Sequence, residues 1–254
     1  MVGIQSSFTN SNSFFFSVAG KIIIATGDSP VGFGSQHTEV IDLTNSIIKY
    51  DLLQTLPERW GSVGALMNGK PVICGGYNTS DNEYLQDILV LGSDHHVNQS
   101  SFNLGLTEKR SGAASVLLDD NTLWIVGGDA GFQDLRSTEF FSLDKSPEEG
   151  PYLPFTIERH GMVHYTSEAI YLIGGYQDGV LSNRTWIVDL TDEFKIFEGP
   201  SLKMARCSHA TGKMVVNGKT LIVVAGGEFR QGRSTDSVEI LDPMSKNGWV
   251  TGIP

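Results

Sequence analysis

The sequence predicts an all-β chain built from one repeated unit, and three observations carry that expectation. Five apolar runs, at 22–27, 72–76, 123–128, 171–175 and 221–227, each end in a glycine pair or its equivalent. Their final glycines are spaced 49, 52, 47 and 52 residues apart, a mean of 50. An arginine followed mostly by small residues keeps the same phase ahead of four of these runs, at Arg59, Arg110, Arg159 and Arg206. No stretch of ten residues shows helical period. Each unit instead offers four short runs of strand-forming residues separated by Asn, Asp, Gly, Ser or Pro.

The elements follow in order within each unit. The first strand starts just after the arginine, which the first repeat lacks. The second is nearly continuous in apolar residues, the pattern of a strand covered on both faces. Its closing glycines tolerate positive φ and close backbone approach where the chain leaves a crowded sheet. The third occupies 37–43, 85–91, 137–144, 183–190 and 236–242, mostly ending near an aspartate. A fourth, aromatic or apolar, closes the unit near pairs such as Leu56-Pro57, Gly150-Pro151 and Gly199-Pro200. The repeats then run approximately 10–57, 58–107, 108–155, 156–203 and 204–254. A four-stranded unit cannot bury both faces of its sheet alone, so neighbours must stack, and radial stacking gives a β-propeller. One domain over 1–254 is expected.

These residues resemble a kelch repeat: an Arg-containing first strand, a Tyr-like strand running into Gly-Gly, an aspartate-ended third strand and a Trp-containing fourth. The Tyr position is held by Ile23, Val72, Trp124, Tyr171 and Val223; the Trp position is matched at Trp249, with Tyr50, Phe102, Tyr152 and Phe197 as stand-ins. None of the four tryptophans is followed by aspartate, which separates the pattern from the Trp-Asp propeller repeat. The resemblance implies a ring of six or seven blades. Five four-stranded blades with the last repeat ending at Pro254 therefore lead us to expect an incomplete six-bladed ring. It also implies that Arg59, Arg110, Arg159 and Arg206 line the mouth of the central channel and meet an acidic segment of a partner protein. The residues themselves leave a second reading open, in which each arginine bonds loop carbonyls and holds the blades together.

Composition narrows the function. Eighteen basic and 29 acidic residues leave a net charge of −11, which opposes nucleic acids and anionic membrane surfaces. Cys74 and Cys207 read as free buried thiols. The apolar run at 14–19 lacks a preceding basic residue and is neither signal peptide nor membrane span, which favours an intracellular, cytoplasmic location. Sequons at Asn78, Asn98 and Asn183 occur at about the frequency chance gives the Asn-x-Ser/Thr pattern.

Metal and cofactor sites are not expected. His160 and His164 on one strand would stand about 13 Å apart, His95 and His96 face opposite ways, and His37 and His209 look isolated. Carboxylates at Asp81, Asp119, Asp120, Glu148, Glu149, Asp192 and Glu193 sit where solvated turns expect them. The expected function is a protein–protein interaction module, such as the substrate-recognition part of a larger adaptor like a ubiquitin-ligase subunit. An extracellular or structural kelch array without a discrete peptide site is the alternative, and a propeller enzyme a third reading.

Overall fold

Side chains alternate between the two faces of a strand, so a near-continuous apolar run makes a strand apolar on both faces. In the computed structural model, which describes residues 14–18, 21–25, 38–42, 59–91, 105–230 and 233–252, every regular element is a strand. The first sheet holds Phe14–Val18, Lys21–Ala25 and Thr38–Asp42 in sequential antiparallel order. The second holds Val63–Met67, Lys70–Asn78 and Glu83–Val90. Four strands form each of the next three. The third has Ala114–Leu117, Thr122–Val126, Thr138–Ser142 and Lys145–Glu149; the fourth has Gly161–Thr166, Ala169–Ile173, Thr185–Asp189 and Lys195–Glu198. The fifth has Ala210–Val216, Lys219–Ala225, Val238–Leu241 and Trp249–Thr251. The expected fourth runs of the first two repeats, with Tyr50 and Phe102, lie outside the described residues, as do His37, His95 and His96.

The chain divides into two compact units. One comprises Met1–Ser111, Asp120–Leu123 and Phe141–Glu148, the other Gly112–Asp119, Trp124–Phe140 and Glu149–Pro254. In the second unit the fourth sheet is covered on both faces. Met162, Ile170, Leu172 and Val188 join Ala114, Trp124 and Val126 in one core, while Val163, Tyr171 and Ile173 join Ile222, Val224, Leu241 and Trp249 in another. Both faces are buried, so the second strand carries no polar alternation.

Backbone hydrogen bonds set the repeat register. Leu106, Leu153 and Leu202, all buried, donate to the carbonyls of Gln86, Arg136 and Asn183 at 2.7, 2.9 and 2.8 Å. Gly150, Gly199 and Gly252 donate to Thr138, Thr185 and Val238 at 2.8, 2.8 and 2.7 Å. This places Pro147, Ile196 and Trp249 in one position three residues earlier, which corrects the expected stand-ins. Tyr152 lies beyond its strand and is exposed, and Phe197 is exposed beside Ile196, which packs on the core. Trp249 itself is buried and donates its indole N–H to the Pro200 carbonyl at 2.8 Å. Glu148 and Glu149 end an outer strand rather than a turn.

Candidate functional site

The four phase-matched arginines do not share one environment. Arg59 and Arg206 are 0% exposed and Arg110 is 1% exposed. Arg59 donates to both carboxylate oxygens of Asp87, at 2.9 and 2.7 Å, and to the Gly75 carbonyl at 3.1 Å. Arg206 donates to the Gly226 and Ser237 carbonyls at 2.8 and 3.0 Å, to the Ser237 hydroxyl at 2.8 Å and to Glu239 at 2.9 Å. Glu239 is buried too and accepts from the Lys203 and Met204 amides at 2.7 and 3.2 Å. Arg110 stands 3.7 Å from Glu108. Arg59 and Arg206 tie loops to sheets, and all three arginines are buried rather than presented at the surface.

Arg159 differs because it is not the repeat equivalent of the other three. The carbonyl that accepts from the second glycine of the Gly-Gly pair is that of Arg110 for Gly76 and of Arg206 for Gly175, both at 2.8 Å. For Gly128 it is that of Ile157, again at 2.8 Å. Ile157 therefore fills the strut position of the fourth repeat, and Trp186 occupies the place of Glu239. Both belong to an apolar cluster, where Phe155 stacks on Trp186 with ring centroids 4.7 Å apart. An isoleucine–tryptophan pairing has replaced a buried ion pair, an exchange that apolar packing makes energetically neutral or favourable.

Two residues on, Arg159 aligns with Gly61, Gly112 and Ser208. All four adopt left-handed backbone, with φ of 66°, 63°, 51° for Arg159 and 51° for Ser208. Glycine enters this region freely, whereas a residue with a Cβ pays about 1–2 kcal/mol. In the second unit these residues are linked: Arg159 N–H donates to the Gly112 carbonyl at 2.6 Å and Ser208 N–H to the Arg159 carbonyl at 2.9 Å. The Arg159 side chain, 35% exposed, runs over Gly112, whose added Cβ would meet Arg159 Cγ at 3.2 Å. One repeat thus presents a long cationic side chain where the others present a glycine or a serine.

Carboxylates surround it. Glu158 Oε2 lies 3.7 Å from Arg159 Nε. Burial, together with the charges of Asp134 and Asp129, pushes the Glu158 carboxyl up to about 7, although Arg159 opposes the shift. Asp134 is raised by burial and by Asp129, its partner across the 129–134 loop. Asp178 caps the neighbouring loop by accepting from the Thr156 amide at 3.0 Å. Burial and the charges of Cys207, Glu228 and Glu158 raise the Tyr176 phenol, and burial and Glu228 raise the Cys207 thiol. Phe132, in the 129–134 loop, and Val180, in the short strand Val180–Leu181 that follows Asp178, are exposed. In this unit Arg206 is buried and Arg159 partly exposed, so the two expected arginines do not share one surface. Among the described residues, the Arg159 guanidinium stands near five carboxylates.

Sequence reasoning missed the histidines here. His160 precedes its strand instead of sharing it with His164, whose Nδ1 contacts the Leu117 carbonyl at 2.6 Å. His209 is not isolated but acts on His160 of the preceding repeat: burial first and His209 second lower the proton affinity of His160, while burial and the Arg206 cation lower that of His209. Their spacing of 49 was visible, but only the register connected it to the repeat. Among the described residues, no cluster of three or more His, Cys, Asp and Glu could hold a metal ion, and no helix is long and apolar enough to cross a membrane. Cys74 and Cys207 are both buried, and neither forms a disulfide among the described residues.

Successive antiparallel sheets, several of them four-stranded, make a strand-rich fold compatible with a β-propeller. The chain is similar to a solved structure titled "Structure of YjhT", with a TM-score of 0.72 and 11% sequence identity, over 96% of this chain and 84% of that one. At that identity the likeness concerns the fold alone. No family model matches the sequence. No curated protein matches it either.

Proposed function

We propose that this chain is a protein-interaction module of kelch type, with five four-stranded blades of a six-bladed ring and a partner-binding site centred on Arg159. The observation that carries the reading is Arg159 itself: a partly exposed cation held at a left-handed position that costs free energy, where other repeats place glycine or serine. Strain of that kind is retained where a side chain is needed. The exposed Met214, Val215 and Val216 on the edge strand Ala210–Val216 of the fifth sheet support an open ring. The partner segment supplies an acidic side chain to Arg159 and, because Asp129, Asp134, Asp178 and Glu228 lie around it, at least one basic side chain as well. A polyacidic segment would be repelled. Recognition as part of a larger adaptor fits such a site.

A second reading, a propeller enzyme, draws on Glu158, whose carboxyl at about 7 suits proton transfer near neutrality. Selection from a random peptide display library tests the first. The wild type should retain peptides carrying both charges, and Arg159→Gly should lose them at least tenfold in affinity. Peptides held equally by the variant, or none selected at all, would contradict the binding assignment, the latter favouring a structural array.

A further inference from the structure

We infer that the His160–His209 pair is an acid-triggered release for the packing of the fourth sheet on the fifth: two repeat-equivalent imidazoles packed against glycines, their ring nitrogens buried without a hydrogen-bond partner among the described residues. The two residues follow Arg159 and Ser208 and lead into the inner strands Gly161–Thr166 and Ala210–Val216. The corresponding residues of the second and third repeats are Ser62 and Ala113, so the blade does not require histidine there.

Glycines make the space for the rings. An added Cβ on Gly161 would lie 3.0 Å from His209 Nε2, and one on Gly174 would lie 2.9 Å from His209 Cε1. One on Gly175 would lie 2.7 Å from His160 Cβ, and one on Gly227 the same distance from His209 Cβ. All four ring nitrogens are inaccessible to solvent and have no hydrogen-bond partner among the described residues. The Ile173 carbonyl approaches His209 without reaching hydrogen-bond geometry, and its pull on the proton is the weakest influence there.

The charges that act on the pair all oppose protonation. Burial first and His209 second push His160 down to about 3, while burial and the Arg206 cation push His209 down to about 4. No carboxylate acts on either ring; Glu158, Asp129 and Asp134 act at Arg159, and Glu239 is engaged by Arg206. In the unfolded chain both histidines titrate near their ordinary value of about 6.5. Folded affinity for protons is lowered, so stability is full above that pH and is lost as pH falls toward 4. With two protons bound by the unfolded chain alone, the folded-to-unfolded ratio drops about 100-fold per pH unit. Glu158 works in the opposite direction between about 7 and its ordinary value, so only a comparison with variants isolates the pair.

The test is urea unfolding between pH 4.5 and 8 of the wild type, His160→Ala, His209→Ser and the double variant, which carries residues used by other repeats. Relative to the double variant, the wild type should lose about 100-fold in folding equilibrium per pH unit between about 6 and 5, and each single variant about tenfold. An unchanged slope in the double variant overturns the inference. If that variant fails to fold, imidazole C–H resonances of the folded wild type decide instead. Two rings that do not titrate above pH 5 support the release, and either ring titrating near 6.5 refutes it.

Discussion

Arg159 shows how one side chain can be misread by two positions. Its spacing from Arg110 and Arg206 fits the repeat as well as that of Ile157 does, because both alternatives give intervals near 50. The signal that separates them is the buried leucine. Arg110 and Arg206 each follow their leucine by four residues, as Ile157 follows Leu153, while Arg159 follows it by six. The identity of that leucine emerges only from its hydrogen bond, so the strut function of three arginines was legible and the exception was not. At the same scale Glu158 carries a pH prediction. Its carboxyl is raised in the folded chain, so its ionisation opposes folding and stability grows as pH falls from 8 toward 6.5, before the histidines intervene. Glu158→Gln should abolish that rise in thermal unfolding midpoints. A rise of equal size in the variant would assign it to other groups.

At the scale of the element, the second and third strands were predictable because their apolar runs stand out from the turn residues around them, and each of the five second and third strands overlaps its expected segment, with ends displaced by one or two residues. The fourth strand was less so. It is an outer strand, bears Pro147 in the third sheet and charged residues beside Ile196, and needs only one apolar contact, which tryptophan, isoleucine or proline can supply. The buried ion pair of the fifth repeat gives a sharper test of element equivalence. Arg206→Ile leaves Glu239 buried without its cation and should cost about 3–5 kcal/mol. Adding Glu239→Trp, which copies Ile157 and Trp186, should recover part of that loss in urea unfolding. A double variant no more stable than the single one would show that the two repeats are not interchangeable there.

For the whole molecule, the repeat turns one rule into five sheets, and departures from that rule mark the places where a residue is not needed for stacking. Arg159, His160 and His209 are such departures: glycine, serine or alanine serves in the corresponding positions of other repeats. The buried arginines are the rule itself: Arg59 and Arg206 each join loop carbonyls and a carboxylate of the third strand, and Arg110 is buried in the same way. Net charge and composition say nothing of this division, because a guanidinium counts the same whether it binds Glu239 or faces solvent. Arg159 and Arg206, similar in sequence spacing but two positions apart in the repeat, therefore differ in what they do. Equilibrium unfolding in urea of Arg159→Gly and Arg206→Met, measured beside the wild type at pH 7.5, tests it most directly. The account predicts that Arg159→Gly stays within about 1 kcal/mol of the wild type, relief of left-handed backbone offsetting the added freedom of the unfolded chain, while Arg206→Met loses about 3–5 kcal/mol. Equal losses in the two variants would contradict it.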